Sequence, residues 1–166
     1  MEKLKLKIPA IKKASVLIID DEEGIRRLLT KILEENDYSA DSVGDGKEGV
    51  KKSNEKFYDA AFIDIMLPDS NGIDLLPRFK ETTPRMRKII MTGNPSLQNA
   101  IGAVNNGADA YVMKPLDVEK VLATLEEQLE KQKKERETME QVFNRGRARA
   151  RIEVLSREAT ETPEVR

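Results

Sequence analysis

Five short apolar runs alternate with stretches of helical periodicity, and this alternation constrains the fold more than any other feature. The runs are residues 15–19, 38–43, 59–63, 88–91 and 110–113. Each has the length of a strand and is too short for a typical helix. After the first run, Ile25, Leu28, Leu29, Ile32 and Leu33 predict a helix over about 23–36. A short helix follows Gly44-Asp45-Gly46 and passes through Val50 to about Ser53. Ile73, Leu75, Leu76 and Phe79 mark a third helix that must stop before Pro84. Leu97, Ala100, Ile101 and Val104 mark a fourth, closed at Asn106-Gly107. A long helical pattern begins after Asp117, which is suited to an N-cap. Such alternation predicts a doubly wound α/β domain, with a parallel sheet covered on both faces and right-handed crossovers.

In a parallel sheet every strand delivers its C-terminal residue to the same edge, where open α/β sheets bind ligands. The first run ends in Asp20-Asp21, the third in Asp64, the fourth in Thr92 and the fifth in Lys114-Pro115. Asp64 is followed by Ile65-Met66-Leu67-Pro68-Asp69-Ser70-Asn71-Gly72, a turn signal. Taken singly, each of these residues has an ordinary structural role as a turn cap, loop acid, turn hydroxyl or surface lysine. Together they place three carboxylates, a hydroxyl and an ammonium in one crevice. Carboxylates this close need a counter-ion to stay ionised. Oxygen-only ligands point to Mg²⁺, with Mn²⁺ as the alternative. A metal cation and Lys114 around one carboxylate would neutralise an incoming phosphoryl group, and phosphoryl transfer consists largely of such positioning.

The charge distribution agrees with this picture. The net charge is −1, but residues 1–14 carry five Lys against one Glu, and residues 131–166 carry ten Lys or Arg against seven Glu. The middle of the chain is therefore acidic, which suits a divalent cation and argues against nucleic acid as the ligand of that part. With no cysteine there is no thiolate chemistry, and with no histidine there is no His-based catalysis, no His-ligated zinc and no phosphohistidine on this chain. There is no run of about 18 apolar residues, so no membrane span is expected. Residues 1–14 lack the continuous apolar segment of a signal peptide, which places the expected location in the cytoplasm.

The ordered set Asp20-Asp21, Asp64, Thr92 and Lys114-Pro115 resembles the receiver domain of two-component response regulators, the CheY-like family. The run from Asp64 to Gly72 and the run Gly107-Ala108-Asp109-Ala110-Tyr111-Val112-Met113-Lys114-Pro115 are similar to that family as well. The resemblance covers about residues 14–130. It implies a flavodoxin-like (βα)5 sheet of order 2-1-3-4-5 and a phosphorelay function. Asp64 would be the phospho-acceptor. Asp21, with Asp20, would hold the metal together with Asp64 and the backbone carbonyl of Met66. Thr92 and Lys114 would contact the phosphoryl oxygens, and Tyr111 would be the aromatic switch. Pro115 would follow a cis bond. The implied partners are a sensor histidine kinase or phosphotransfer protein, and a downstream protein or a second copy of the chain. A second copy would bind through the face formed by the fourth helix, fifth strand and fifth helix, or through the C-terminal helix. The chain would act as a phospho-accepting signalling domain rather than an enzyme. A phosphatase of the haloacid dehalogenase type also uses Asp, Thr, Lys and Mg²⁺, but its nucleophile lies on the first strand in an Asp-x-Asp motif, and here Met66 stands at the second position after Asp64.

Outside the receiver, residues 1–13 read as a flexible basic leader. Residues 131–166 read as a helix to about Asn144 and then a disordered basic tail. Val118, Leu122, Leu125, Leu129, Gln132, Arg136, Met139 and Phe143 follow coiled-coil spacing, although Gln132 and Arg136 are polar interruptions. Arg145, Arg147, Arg149 and Arg151 alternate in a segment that could contact nucleic-acid phosphates or an acidic protein face. This gives the alternative function, a transcriptional or nucleic-acid-linked regulator acting through the tail.

Overall fold

The computed structural model describes residues 13–82 and 84–160. The leader, apart from Lys13, and the tail beyond Thr160 lie outside the described residues. Five parallel strands form one sheet in the order β2-β1-β3-β4-β5. They are β1 (Ser15–Ile19), β2 (Ser39–Val43), β3 (Ala60–Asp64), β4 (Arg87–Thr92) and β5 (Ala110–Met113). The helices are α1 (Glu23–Glu35), α2 (Gly46–Glu55), α3 (Gly72–Leu75, continued by a 3₁₀ turn over Leu76–Arg78), α4 (Leu97–Asn105) and α5 (Val118–Thr160). This is the flavodoxin-like strand order expected from the sequence, with a C-terminal helical extension.

Alternation along the buried strands divides the core into two layers. Leu17, Ile19, Ala61, Ile63 and Ile90 pack with Ile73, Leu75, Leu76, Phe79 and Ala103. Val16, Ile18, Phe62, Ile89 and Met91 face the other way, onto Leu29, Leu33, Val121 and Leu125. Thus α2, α3 and α4 cover one face, and α1 and α5 the other. The side chains of β3 and β4 are buried throughout. That is expected of inner strands in a doubly wound sheet.

The strands differ from the sequence reading by at most one residue at either end, and three helices differ more. The second helix starts at Gly46 and reaches Glu55, with Asp45 as its N-cap accepting from the Glu48 amide at 2.8 Å. The third helix is only one α-turn, because Pro77 has no amide hydrogen to continue the ladder. The largest correction is in α5. Residues 144–151 are not a flexible segment; they are helical, and the helix runs through Thr160. Arg and Ala are among the best helix formers, and one glycine, Gly146, costs about 1 kcal/mol relative to alanine, too little to break a long helix. Pairs with Glu one turn ahead of the cation add support: Glu127–Lys131 at 2.6 Å and Glu153–Arg157 at 2.8 Å.

Two buried glutamines fix where α5 runs. Gln128 and Gln132 are both buried, and Gln132 lies under the N-terminal ends of β3 and β4. The Gln132 amide donates to the backbone oxygens of Asp59 (3.0 Å) and Arg85 (2.8 Å). One turn on, Glu135 meets the buried Arg87 at 2.6 Å. Arg87 also reaches Asp109 (3.2 Å), which pairs with Arg85 and accepts from the Lys88 amide at 2.8 Å. No described helix is long and apolar enough to cross a membrane.

Candidate functional site

The parallel register brings the expected residues together at the C-terminal edge. Ile19 of β1 is aligned with Ile63 of β3, so Asp20 and Asp64 are side by side. Asp64 is aligned with Met91 of β4, so Thr92 stands one residue past it, and Thr92 is aligned with Met113, so Lys114 is next on β5. The β4–β5 ladder continues one bond further, from the Lys114 amide to the Thr92 oxygen at 2.7 Å. The Lys114–Pro115 bond is cis, as the family resemblance implies.

Asp20, Asp64 and Thr92 are buried, and Asp21 is exposed at the rim. One oxygen from each of the three carboxylates lies within 4.8 Å of the others. The Lys114 ammonium spans the cluster, 2.8 Å from Asp20 Oδ2, 3.4 Å from Asp64 Oδ1 and 3.3 Å from Glu22 Oε1. Burial raises the Asp64 carboxyl above its usual range, and the neighbouring Asp20 raises it further, with Lys114 pulling partly back. Burial alone would lower the Lys114 ammonium, but its contacts with Asp20 and Asp64 outweigh this and hold it above the usual lysine range. Lys114 is therefore a permanent cation in the crevice.

Short local contacts shape the rim. Asp20 Oδ1 accepts from the Glu22 amide at 2.9 Å, which folds the acidic loop over the end of β1. Arg26 holds that loop from below, donating to the backbone oxygens of Asp20 (2.8 Å) and Asp21 (3.0 Å). On the other side, the chain leaving Asp64 doubles back. Met66 bridges Asn71, and the Gly72 amide donates to the Ile65 oxygen at 2.7 Å. Only glycine fits there, since a Cβ on residue 72 would lie 2.0 Å from the Asp64 carbonyl oxygen. Asp69 ties this loop to the start of α2 by accepting from the amides of Gly46 (2.9 Å) and Lys47 (2.8 Å).

The residues present suit a divalent cation. Asp20 Oδ2 is fully buried and faces the Lys114 ammonium at 2.8 Å, so a cation already neutralises it. Three carboxylates around one ammonium leave an excess of negative charge, with oxygen donors of the kind that Mg²⁺ takes. Thr92 Oγ1 accepts from the Asn94 amide at 3.1 Å, leaving its own hydrogen free to donate. Tyr111, aligned with Ile90, packs on the core with its hydroxyl buried and without a partner.

Glu22, Arg26 and Asp69 were not assigned a place at the site by the sequence reading. The acidic run Asp20-Asp21-Glu22-Glu23 carried the signal for Glu22. Asp69 stood within the turn signal after Asp64 and no local signal marks Arg26, and the partners of both are backbone atoms fixed only in the fold.

Comparison with known proteins supports the same conclusion. The family model of the response regulator receiver domain matches residues 16–126. The response regulator ArlR of Staphylococcus saprophyticus is 34% identical over 119 residues, which is 70% of this chain and 53% of that protein. The chain thus matches about half the length of such curated relatives. A CheY-like receiver domain protein from Methanospirillum hungatei superposes with a TM-score of 0.70 at 37% identity, covering 76% of this chain and 99% of the other. The beryllofluoride-activated NtrC4 receiver domain dimer, a solution structure, superposes with a TM-score of 0.67 at 35% identity, covering 71% and 98%. The chain belongs to the response regulator receiver domain family. Its acidic cluster is compatible with a divalent metal ion.

Proposed function

We propose that this chain is a cytoplasmic response regulator of a two-component phosphorelay that takes a phosphoryl group on Asp64 from a partner phosphohistidine. The observation that carries the reading is the Lys114 ammonium lodged between Asp20 and Asp64 within a three-carboxylate cluster. An Asp64 oxygen attacks phosphorus, the N–P bond of the donor breaks, and the imidazole leaves with the bonding pair. The product is an acyl phosphate on Asp64. Mg²⁺, held by Asp20, Asp21, Asp64 and the Met66 carbonyl, would supply the second positive charge. Lys114 neutralises one phosphoryl oxygen and the Thr92 hydroxyl donates to another. The chain contains no histidine, so the donor is another protein or a small phosphodonor.

The output is read as protein–protein contact. As Thr92 moves onto the phosphoryl group, Tyr111 packs behind it, and the surface of α4, β5 and α5 is recast. Exposed Leu97, Ile101 and Val104 on α4 offer apolar contact to a target. The chain would be a phospho-acceptor with at most Mg²⁺-dependent self-phosphorylation and self-dephosphorylation, not a turnover enzyme.

The deciding experiment is intact mass after incubation with Mg²⁺ and acetyl phosphate. One added phosphoryl group is expected on the wild type, absent without Mg²⁺ and absent from Asp64→Ala. An adduct that persists on Asp64→Ala would overturn the assignment. A second reading is favoured by the four alternating arginines of α5: action on nucleic acid. Salt-dependent DNA retention that disappears when residues 144–166 are removed would support it, and retention unchanged by that removal would exclude it.

A further inference from the structure

On the domain, α5 presents Val121, Leu125, Gln128 and Gln132 inward, and all four are buried. Beyond the domain, the same helix face continues at three- and four-residue spacing as Met139, Phe143, Gly146 and Ala150. There it lies open. Met139 is 59% exposed, Phe143 64% and the adjacent Val142 66%. Gly146 is the informative residue. Glycine is the poorest helix former after proline. Its backbone here is ordinary helix, and an added Cβ would meet nothing within 4 Å. Nothing within the single chain requires a glycine at this position, whereas a body packed closely against this face would.

We propose that this face pairs antiparallel with the same face of a second copy, in a short two-helix coil over about residues 136–153. The pairing deepens the reading that output passes through protein contacts, but it does not depend on the chemistry at Asp64. In this register Phe143 seats over Gly146 of the other copy and Met139 packs against Ala150, so each large side chain meets a small one. The flanking charges then match. Arg136 faces Glu153, and Glu140 faces the Arg147–Arg149 stretch. Two-fold symmetry makes each contact twice. A parallel pair would set Gly146 on Gly146, leaving a void, and would place Arg136 on Arg136 and Glu153 on Glu153. The exposed Glu153–Arg157 pair on the same helix is of a weak kind and does not hold Glu153 away from the seam. The Arg147 guanidinium lies over the Phe143 ring, 5.7 Å from its centroid, and in the pair it would stay at the rim.

The chain has no cysteine, so introduced thiols report the orientation cleanly. Met139→Cys and Ala150→Cys single variants of the full chain are mixed and oxidised, with and without Mg²⁺ and beryllofluoride. The expected product is the mixed disulfide, in about tenfold excess over either homodimer in at least one condition. Homodimers in excess would mean a parallel pair and overturn the proposal, as would a statistical mixture. Sedimentation of Gly146→Leu provides a second readout. Leucine favours the helix, so circular dichroism should hold or rise, while the dimer is lost. A dimer that survives this substitution would also overturn the pairing. Adduct formation on Asp64 is followed by intact mass in parallel samples of the same variants given Mg²⁺ and acetyl phosphate. An intact adduct without a dimer sinks the pairing alone, and a dimer without an adduct leaves the pairing standing and sinks the acceptor reading.

Discussion

The two ends of the sheet are built from the same kinds of residues and have opposite electrostatic character. At the C-terminal edge, Asp20, Asp21 and Asp64 crowd around one ammonium, which lies 2.8 Å from a buried Asp20 oxygen. At the N-terminal edge, Arg85, Arg87 and the Lys88 amide converge on Asp109, while Gln132 and Glu135 close the network from α5. The first cluster has an excess of like charge and the second is nearly balanced. Both are formed by β3, β4 and their neighbours, about 5 residues apart along each strand, or roughly 16 Å. The difference shows that the fold tolerates crowded like charge at one edge and secures its connections at the other.

The strongest way to break this contrast is to spoil the balanced end. Arg87→Ala leaves buried Asp109 and the Glu135 contact short of a cation. It should cost about 3 kcal/mol in urea unfolding, because removing one partner of a buried pair is far worse than never having made it. A loss below about 0.5 kcal/mol would mean that the base network does not stabilise the fold.

The crowded end should respond to cation more than to truncation. Mg²⁺ at about 100 times its dissociation constant should add about 2.7 kcal/mol to wild-type stability. Thermal melting with and without the ion reads this directly, and Asp21→Asn together with Asp64→Asn should abolish the gain.

Asp64→Asn sharpens the comparison further, because it should stabilise the metal-free protein, by about 1 kcal/mol. The sign follows from the raised carboxyl. A group whose folded pKa lies above its unfolded value favours the fold while protonated and loses that advantage as pH rises through the folded pKa. At neutral pH the ionised Asp64 is therefore a burden, and the amide removes it. A lower melting temperature for Asp64→Asn in a chelator would contradict the crowding.

The smallest effect concerns a well-satisfied carboxylate at the β2 edge. Asp41 accepts from the Tyr58 hydroxyl at 2.6 Å and pairs with Lys56 at 2.9 Å, and these contacts, led by Tyr58, hold its carboxyl below the usual range. Its contribution is present above the unfolded carboxylate pKa of about 3.9 and is lost as pH falls through the folded value. Tyr58→Phe should lower stability by about 0.5 kcal/mol at neutral pH, and the gap to wild type should shrink in acid. A gap that does not change with pH would show that the hydroxyl contributes only packing.

The strand ends were legible because a buried parallel strand leaves a plain apolar signature, and its terminal polar residue falls at a fixed place. Asp20, Asp64, Thr92 and Lys114 could be placed in this way. The balanced end could not. Arg87 and Lys88 are both buried in β4, yet an arginine before an apolar run reads as solvent-exposed, so the strand was expected to begin one residue later, at Lys88. Gln132 looked like a defect in a coiled-coil seam. Its amide is there to satisfy two backbone oxygens from segments 47 and 73 residues away in sequence. Periodicity cannot reveal a partner fixed only by the tertiary fold. The helix beyond Asn144 was missed for a different reason. Alternating arginines around a glycine suggest a coil, but the sum of helix propensities outweighs the one weak position.

The double hydrogen bond of Gln132 has a mechanical consequence. It grips the chain just before β3 and just before β4, the two strands that carry Asp64 and Thr92 at their far ends. From that grip the helix extends through Thr160, about 42 Å at 1.5 Å per residue. The arrangement is a lever with a short arm inside the sheet and a long arm outside. A tilt of about 5° at the fulcrum would swing the far end by about 4 Å over that helical length, so sub-ångström sliding of β3 against β4 would be magnified into a displacement large enough for another protein to sense.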